Sequence, residues 1–195
     1  MLEKKQDKKD ILDSTVALAR DSASQDIVDR FHLRLMVPIQ NDRGDTVAFG
    51  GRALKKGDEP KYLNSPEYAL YNKSAILYNL NRAKKFIRER DFAVFVEGYF
   101  DVMASYQAGV ENVVATCGTA LTEDQLKIMK RYTKNIVFAF DSDNAGKQAL
   151  LRAVKIAQTM PLNIFVVTIN TKDAAELIKE DEKLWKEAVD KKQNY

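Results

Sequence analysis

Residues that form disulfides and metal sites are almost missing from this chain: its 195 residues include one cysteine, Cys117, and one histidine, His32. A lone cysteine excludes an internal disulfide. Together the pair falls short of the four ligands of a structural zinc site, so no zinc is expected in this stretch. Long apolar runs are missing too. None approaches the ~20 residues of a membrane span. The opening Met1-Leu2-Glu3-Lys4-Lys5-Gln6-Asp7-Lys8-Lys9 is too charged for a secretory core. A cytoplasmic protein without a membrane partner is the expectation. The net charge is only +3, and there is no internal repeat or low-complexity segment.

What is present suits a folded chain. Hydrophobic residues make up 45% and charged residues 30%, with both signs mixed, a globular balance rather than that of a disordered tail. The length allows one ordinary domain, or a domain with a smaller companion. Charge is unevenly placed: between Arg52 and Arg90 stand ten basic residues and four acidic ones. The part from Arg82 to Arg90 reads as the solvated face of a surface helix.

Taken in order, the first eight or so residues are expected to be mobile, and Ile11, Leu12, Val16, Leu18 and Ala19 fit one helix. Leu33 to Ile39 and Thr46 to Phe49 read as two strands, joined by a turn in which Gly44 supplies a positive φ. Pro38 lacks a ladder donor, which places its strand at an edge or its ring side outward. Gly50-Gly51-Arg52 then follows the second strand. It is either an ordinary strand exit or a close backbone approach with an arginine forked onto a phosphate or carboxylate. Pro60-Lys61-Tyr62-Leu63-Asn64-Ser65-Pro66 reads as a loop too polar for core. A helix carrying Leu80, Ala83, Phe86 and Ile87 ends near Asp91.

From there the pattern becomes a βα alternation, with strands at about 92–96, 112–116, 135–140 and 163–168 and helices at about 99–108, 122–132, 144–159 and 173–190. That spacing implies a parallel sheet covered on both faces. Thr122-Glu123-Asp124-Gln125 has the form of a capping box, and Trp185 in the tail pattern reads as core.

Two of these strands end in acid. Phe92-Ala93-Val94-Phe95-Val96 gives way to Glu97, and Phe138-Ala139-Phe140 to Asp141 and Asp143. Carboxyl ends of parallel strands border the binding crevice of open α/β sheets, so these acids can converge. Convergence is costly without a cation: two charges ~5 Å apart at an effective dielectric of about 20 repel by roughly 3 kcal/mol. An all-oxygen cluster suits Mg²⁺ or Mn²⁺, and the expectation is a metal-dependent phosphoryl-transfer site. Simpler roles stay open. One aspartate of the pair can cap the following helix, and Asp101 can serve the first turn of a helix starting near Tyr99.

Three stretches carry a resemblance: Glu97-Gly98-Tyr99-Phe100-Asp101-Val102, Cys117-Gly118-Thr119-Ala120-Leu121-Thr122 and Asp141-Ser142-Asp143-Asn144-Ala145-Gly146 are similar to the signatures of the Toprim domain. Upstream, Arg34 to Ile39, Phe49-Gly50-Gly51-Arg52, Lys61 to Pro66, and Lys73 with Leu77-Tyr78 resemble the RNA polymerase core of DnaG-type bacterial primases. The resemblance runs from about residue 29 to 190. It implies an α/β fold: a Rossmann-like parallel sheet of about four strands with helices on both faces, preceded by a small mixed α+β basic subdomain. The implied division is 1–91 for the basic part, 92–170 for the Toprim domain and 171–195 for a helical segment packing on its sheet.

The resemblance further implies synthesis of short RNA primers from nucleoside triphosphates on single-stranded DNA, giving an RNA–DNA hybrid. By position, Glu97, Asp141, Asp143 and Asp101 would form the catalytic cluster. Glu97, Asp141, Asp143 and Asp173 would hold Mg²⁺ or Mn²⁺. Arg52, Lys61, Tyr62, Asn64, Lys73, Gly118 and Thr119 would face nucleotide or nucleic acid. Asp173 matches the first acid of the family's late Asp-Pro-Asp signature, which here reads Asp173-Ala174-Ala175-Glu176, so a cation there would bind more weakly or borrow Glu176. A zinc-binding module and a replicative helicase are partners expected of a longer protein, of which this monomeric chain would be the catalytic core. The alternatives are another Toprim reaction, such as nuclease or topoisomerase-like cleavage, and a module that binds nucleotide or nucleic acid without turnover.

Overall fold

The computed structural model describes residues 7–20, 26–116 and 118–195. The chain divides into two compact units, one of residues up to 39 with 46–71, the other of 40–45 with 72–195. The helix around Arg82 to Arg90, grouped by sequence with the N-terminal part, belongs to the second.

In the first unit a short helix, α1 (Lys8–Asp13), starts at Asp7, whose side chain accepts from the Lys9 amide. The helix expected to reach Ala19 stops there. Thr15 turns the chain at φ 63°, and β1 (Ala17–Ala19) pairs antiparallel with β2 (Ile27–Asp29). Four apolar residues in five satisfy a helical stripe and a short strand equally well, and cross-strand pairing decided between them. The expectation for the opening residues falls, for 1–6, outside the described residues.

β3 (Arg34–Gln40), β4 (Thr46–Ala53) and β5 (Tyr62–Asn64) form a sheet in that order. Pro38 accordingly lies in an edge strand, and Gly44 takes φ 97°. Two expectations are corrected here. Gly50-Gly51-Arg52 lies inside β4 instead of following it, and the stretch after Pro60 contains a strand, because Tyr62, Leu63 and Asn64 pair with Arg52, Gly51 and Gly50. Three residues are too few to display an alternation. Gly51 is glycine for space: a Cβ there would stand 2.8 Å from the Phe31 ring and 3.0 Å from Arg34 Cδ. The Arg34 guanidinium donates to the Gly51 and Pro60 carbonyls at 3.3 and 2.7 Å.

The second unit starts with a 3₁₀ turn (Lys73–Ala75) and α2 (Leu80–Arg90), and then alternates: β6 (Ala93–Val96), α3 (Tyr99–Gln107), β7 (Val113–Ala115), α4 (Glu123–Met129), β8 (Asn135–Phe138), α5 (Asn144–Ala157), β9 (Asn163–Val166). Two helices, α6 (Ala174–Glu180) and α7 (Glu182–Asp190), and β10 (Gln193–Asn194) complete it. The sheet order is β10-β9-β8-β6-β7. Strands β9, β8, β6 and β7 are parallel, and β10 joins β9 antiparallel. This fifth strand was not expected, since two polar residues at the sheet edge leave no periodic signal.

Side chains alternate between two cores. Ala93, Phe95, Ile136 and Phe138 pack with Leu80, Ala83 and Ile87 of α2, Leu126 and Met129 of α4, and Ala153, Val154 and Ala157 of α5. On the opposite face, Val94, Val96, Val113 and Val137 pack with Val102 of α3, Leu177 of α6, and Trp185 and Val189 of α7. Burial on both faces explains why these strands read as continuous apolar runs. Trp185 is fully buried, as expected of a core residue. Among the described residues no helix is long and apolar enough to cross a membrane.

The capping box at α4 ties the unit together locally. Gln125 accepts from the Thr122 amide, while its own Nε2 donates to the carbonyls of Lys73 and Ile76 at 3.1 and 2.8 Å. Thr122 Oγ1 donates to the Ser74 carbonyl at 2.7 Å. Lys73 is thereby held against the start of α4.

Candidate functional site

Sheet order determines where chemistry can sit. β7 lies to one side of β6, and β8 and β9 lie to the other. Connections therefore leave β6 and β8 in opposite directions and open a crevice beyond their carboxyl ends. Four loops border that end: residues 97–98 after β6, 116 and 118–122 after β7, 139–143 after β8 and 167–173 after β9.

Each acid reaches the crevice from one of these loops or the helix that follows. Glu97 extends just past β6, and its Oε1 accepts the Asp141 amide at 3.0 Å, which joins the first loop to the third. The Ser142 amide donates to the Lys172 carbonyl at 2.9 Å, joining the third to the fourth. Asp101, buried in the first turn of α3, accepts the Gly98 amide at 3.1 Å through one oxygen and the Ala175 amide at 3.2 Å through the other. Asp143 caps α5 by accepting the Gly146 amide at 2.8 Å, and Asp173 caps α6 in the same way from Glu176 at 2.8 Å. The Asp141 carboxylate accepts no hydrogen bond from any described residue.

Their titration records the crowding. Asp141 is pushed up to about 7, first by burial and then by the negative charges of Glu97, Asp101, Asp173 and Asp143. Burial likewise raises Asp101 to about 6, against the Ala175 hydrogen bond and with the help of Asp173. Glu97 is raised by burial and by Asp143, and held back by the Asp141 amide and the charge of Arg152. Glu97, Asp101 and Asp141 thus feel the acids around them. None of the ion pairs among the described residues uses any of them.

Such a donor set, all oxygen and without an ion pair among the described residues, fits a hard divalent cation. As placed, no three Asp, Glu, His or Cys side chains among the described residues close around one point. Several carboxylate oxygens are turned to amides, so ligation requires those side chains to rotate. Glu176 is similarly engaged: its Oε2 accepts the Lys172 amide at 2.9 Å. Asp143 and Asp101 do hold the helix-cap and first-turn positions that sequence left open as simpler roles, and Asp173 adds a cap that was not expected.

The expected basic residues divide between the units. Arg52 and Lys61 line one hollow of about 400 Å³ with Lys55 and Lys56 in the first unit, and Lys61 lies 5.5 Å from the ring of Tyr62. Asn64 sits beside them in β5, paired with Gly50. Lys73, Gly118 and Thr119 belong to the second unit. Cys117 lies outside the described residues. Thr119 and Thr116 close their turn reciprocally, each hydroxyl donating to the other's carbonyl at 2.9 and 2.7 Å. One side chain near the acids escaped the sequence reading. Arg152 of α5 lines a cavity of about 270 Å³ with Glu97, Gly118 and Thr119. Its signal was helical spacing: Ala149, Arg152 and Ala153 share one face, along which an arginine is out of place.

A doubly covered parallel sheet with acids beyond β6 and β8 defines a Toprim-type domain, here carried with a small β-rich unit. Residues 94–178 match the family described as Toprim-like, and residues 1–84 match the N-terminal domain of the DNA primase catalytic core. The DNA primase of Enterococcus faecalis is 44% identical over 150 residues, 74% of this chain and 24% of the relative. The Aquifex aeolicus primase, solved with its zinc-binding and RNA polymerase domains, superposes with a TM-score of 0.89 at 31% identity, over 96% of this chain and 46% of that one. A DnaG primase catalytic domain bound to single-stranded DNA gives 0.84 at 30% identity, over 96% and 59%. The chain belongs to the family of DnaG-type bacterial primase catalytic cores. It spans about a quarter of the length of the curated relatives it matches.

Proposed function

We propose that this chain forms the catalytic core of a DNA primase. It would join ribonucleoside triphosphates into short RNA primers on a single-stranded DNA template, leaving an RNA–DNA hybrid, by nucleotidyl transfer in the cytoplasm. The observation that carries the reading is the gathering of five acids at the β6–β8 crevice with no cationic side chain paired to them. Binding of single-stranded DNA by a structural relative supports the choice of template.

In this reading Glu97, Asp141 and Asp143 hold Mg²⁺ or Mn²⁺, with Asp101 and Asp173 completing the cluster toward α6. Bound divalent cations would stabilise the attacking 3′-hydroxyl and the departing pyrophosphate oxygens. The protein's own part is positioning. In the metal-free site the Asp141 amide holds one oxygen of Glu97, the cap of α5 holds one oxygen of Asp143, and the Gly98 and Ala175 amides hold Asp101, so the carboxylates are kept at the crevice until a cation draws them round. Arg52, Lys61, Tyr62 and Asn64 on the first unit and Lys73, Gly118 and Thr119 on the second would meet nucleotide and nucleic acid, which makes binding salt-dependent. Functionally we divide the chain into a basic part to residue 91, a Toprim part to 170 and a helical segment to 195. A zinc-binding module and a replicative helicase would act with the longer protein.

The test is template-directed synthesis. With single-stranded DNA, labelled ribonucleotides and Mg²⁺, wild type yields primers and Asp141→Asn yields none while its circular dichroism spectrum is preserved. Undiminished synthesis by the variant would refute the site. Nicking of DNA without nucleotides would choose the cleavage reading, and nucleotide binding without product would choose the binding module.

A further inference from the structure

Arg152 has no role in the reading above. It is solvent-exposed on α5 and borders the 270 Å³ cavity on which Glu97, Phe140, Ala149 and the loop from Gly118 to Leu121 also open. Its guanidinium makes no hydrogen bond or ion pair with a described residue, leaving five donors unspent. The amides of Thr119 and Ala120, in the loop that lines the same cavity, likewise donate to no described residue. The threonine hydroxyls are spent closing their own turn. Unsatisfied N–H groups from an arginine and a backbone loop around one hollow make a receptor for an anion.

Glu97 narrows the class of anion. Its carboxylate lines the same cavity as Arg152. A bare anion would be repelled there, whereas one arriving with a divalent cation would not. The volume narrows it further. At about 270 Å³ the cavity lies just below the roughly 300–1,000 Å³ of small-molecule sites, room for a di- or triphosphate.

We propose that Arg152 binds the polyphosphate of a cation–polyphosphate complex, either the tail of the incoming nucleoside triphosphate or the pyrophosphate that leaves. This rests on the polymerase reading for the role of the ligand, and on the cavity alone for its binding. The experiment uses the full chain as wild type, Arg152→Ala and Arg152→Lys. Calorimetry with Mg²⁺ plus inorganic tripolyphosphate, pyrophosphate, ATP or AMP is run beside single-stranded DNA binding and steady-state priming.

Arg152→Ala should weaken tripolyphosphate and ATP about ten-fold or more, the loss of charge-assisted hydrogen bonds, and leave AMP and DNA binding unchanged. In priming, KM for nucleotide rises while kcat stays within about three-fold, and Arg152→Lys recovers part of the affinity as a point charge without the fork. A larger loss for pyrophosphate than for ATP assigns the residue to the leaving product, and the reverse to the substrate. Unchanged tripolyphosphate affinity in Arg152→Ala, no tripolyphosphate binding by wild type, or a loss confined to DNA overturns the proposal. The two readings fail separately: wild type that binds tripolyphosphate through Arg152 but makes no primer sinks only the polymerase, and an inert Arg152→Ala beside a dead Asp141→Asn sinks only this one.

Discussion

Asp141 carries the heaviest electrostatic load in the site, because it alone is raised by all four neighbouring acids and accepts no hydrogen bond in return. Its ordinary value is 3.8 and its folded value about 7. A carboxyl group raised on folding favours the protonated state, so its contribution to stability is fully present below the ordinary value and is lost as pH rises through about 7. Asp101 acts in the same direction through about 6. Metal-free protein should therefore melt at progressively lower temperature from pH 5 to pH 7.5. Mg²⁺ should raise the melting temperature more at pH 7.5 than at pH 5, because it competes with protons for the same oxygens. Asp141→Asn should flatten the metal-free slope and raise its melting temperature at pH 7.5. Scanning calorimetry across that range decides it, and a wild-type slope of the opposite sign would contradict the assignment.

At the scale of elements, the start of α5 is the part on which the site depends. Gly146 lies in its buried first turn, where a Cβ would come within 2.8 Å of Asp141 Cβ and closer still to its backbone. The helix can approach the acid-bearing loop only because that atom is missing. Gly146→Ala should cost about 1–3 kcal/mol by overpacking, and should also displace Asp141, so the Mg²⁺-dependent rise in melting temperature shrinks. Urea unfolding with and without Mg²⁺ checks both effects, and wild-type behaviour in both would show that the contact relaxes freely. The exposed face of α2 matters far less. Its charges were readable as solvated, and they are: Lys85 and Glu89 stand 3.9 Å apart in water, a pair that contributes well under 1 kcal/mol.

Both hydrophobic cores lie wholly within the second unit, from Leu77 onward. Residues 40–45 meet the rest of that unit through polar contacts, Lys84 donating to the Asp42 carbonyl at 2.7 Å and Asn81 to Gln40 Oε1 at 3.0 Å. A chain of residues 72–195 should accordingly fold by itself in one cooperative transition and keep its Mg²⁺-dependent stabilisation, while losing template-directed synthesis without Arg52 and Lys61. Circular dichroism melts with and without Mg²⁺ measure the first two outcomes and a priming assay the third. An unfolded fragment would show that the first unit contributes to the core.

Sequence alone determined the alternation of the second unit, since strands buried on both faces must be apolar throughout and helices between them must show a 3.6-residue stripe. It also determined which acids end the strands, because a charge closing an apolar run is conspicuous. The short strands β1, β5 and β10 were decided by tertiary structure, as two or three residues carry no period and pair only when a partner strand is present. Tertiary structure likewise brought Asp101 and Asp173 within electrostatic reach of Asp141 and placed Arg152 on the same cavity as Glu97. Those meetings depend on strand order and on loops linked by single amides, and charges distant in sequence interact only once folding has brought them within a few ångströms.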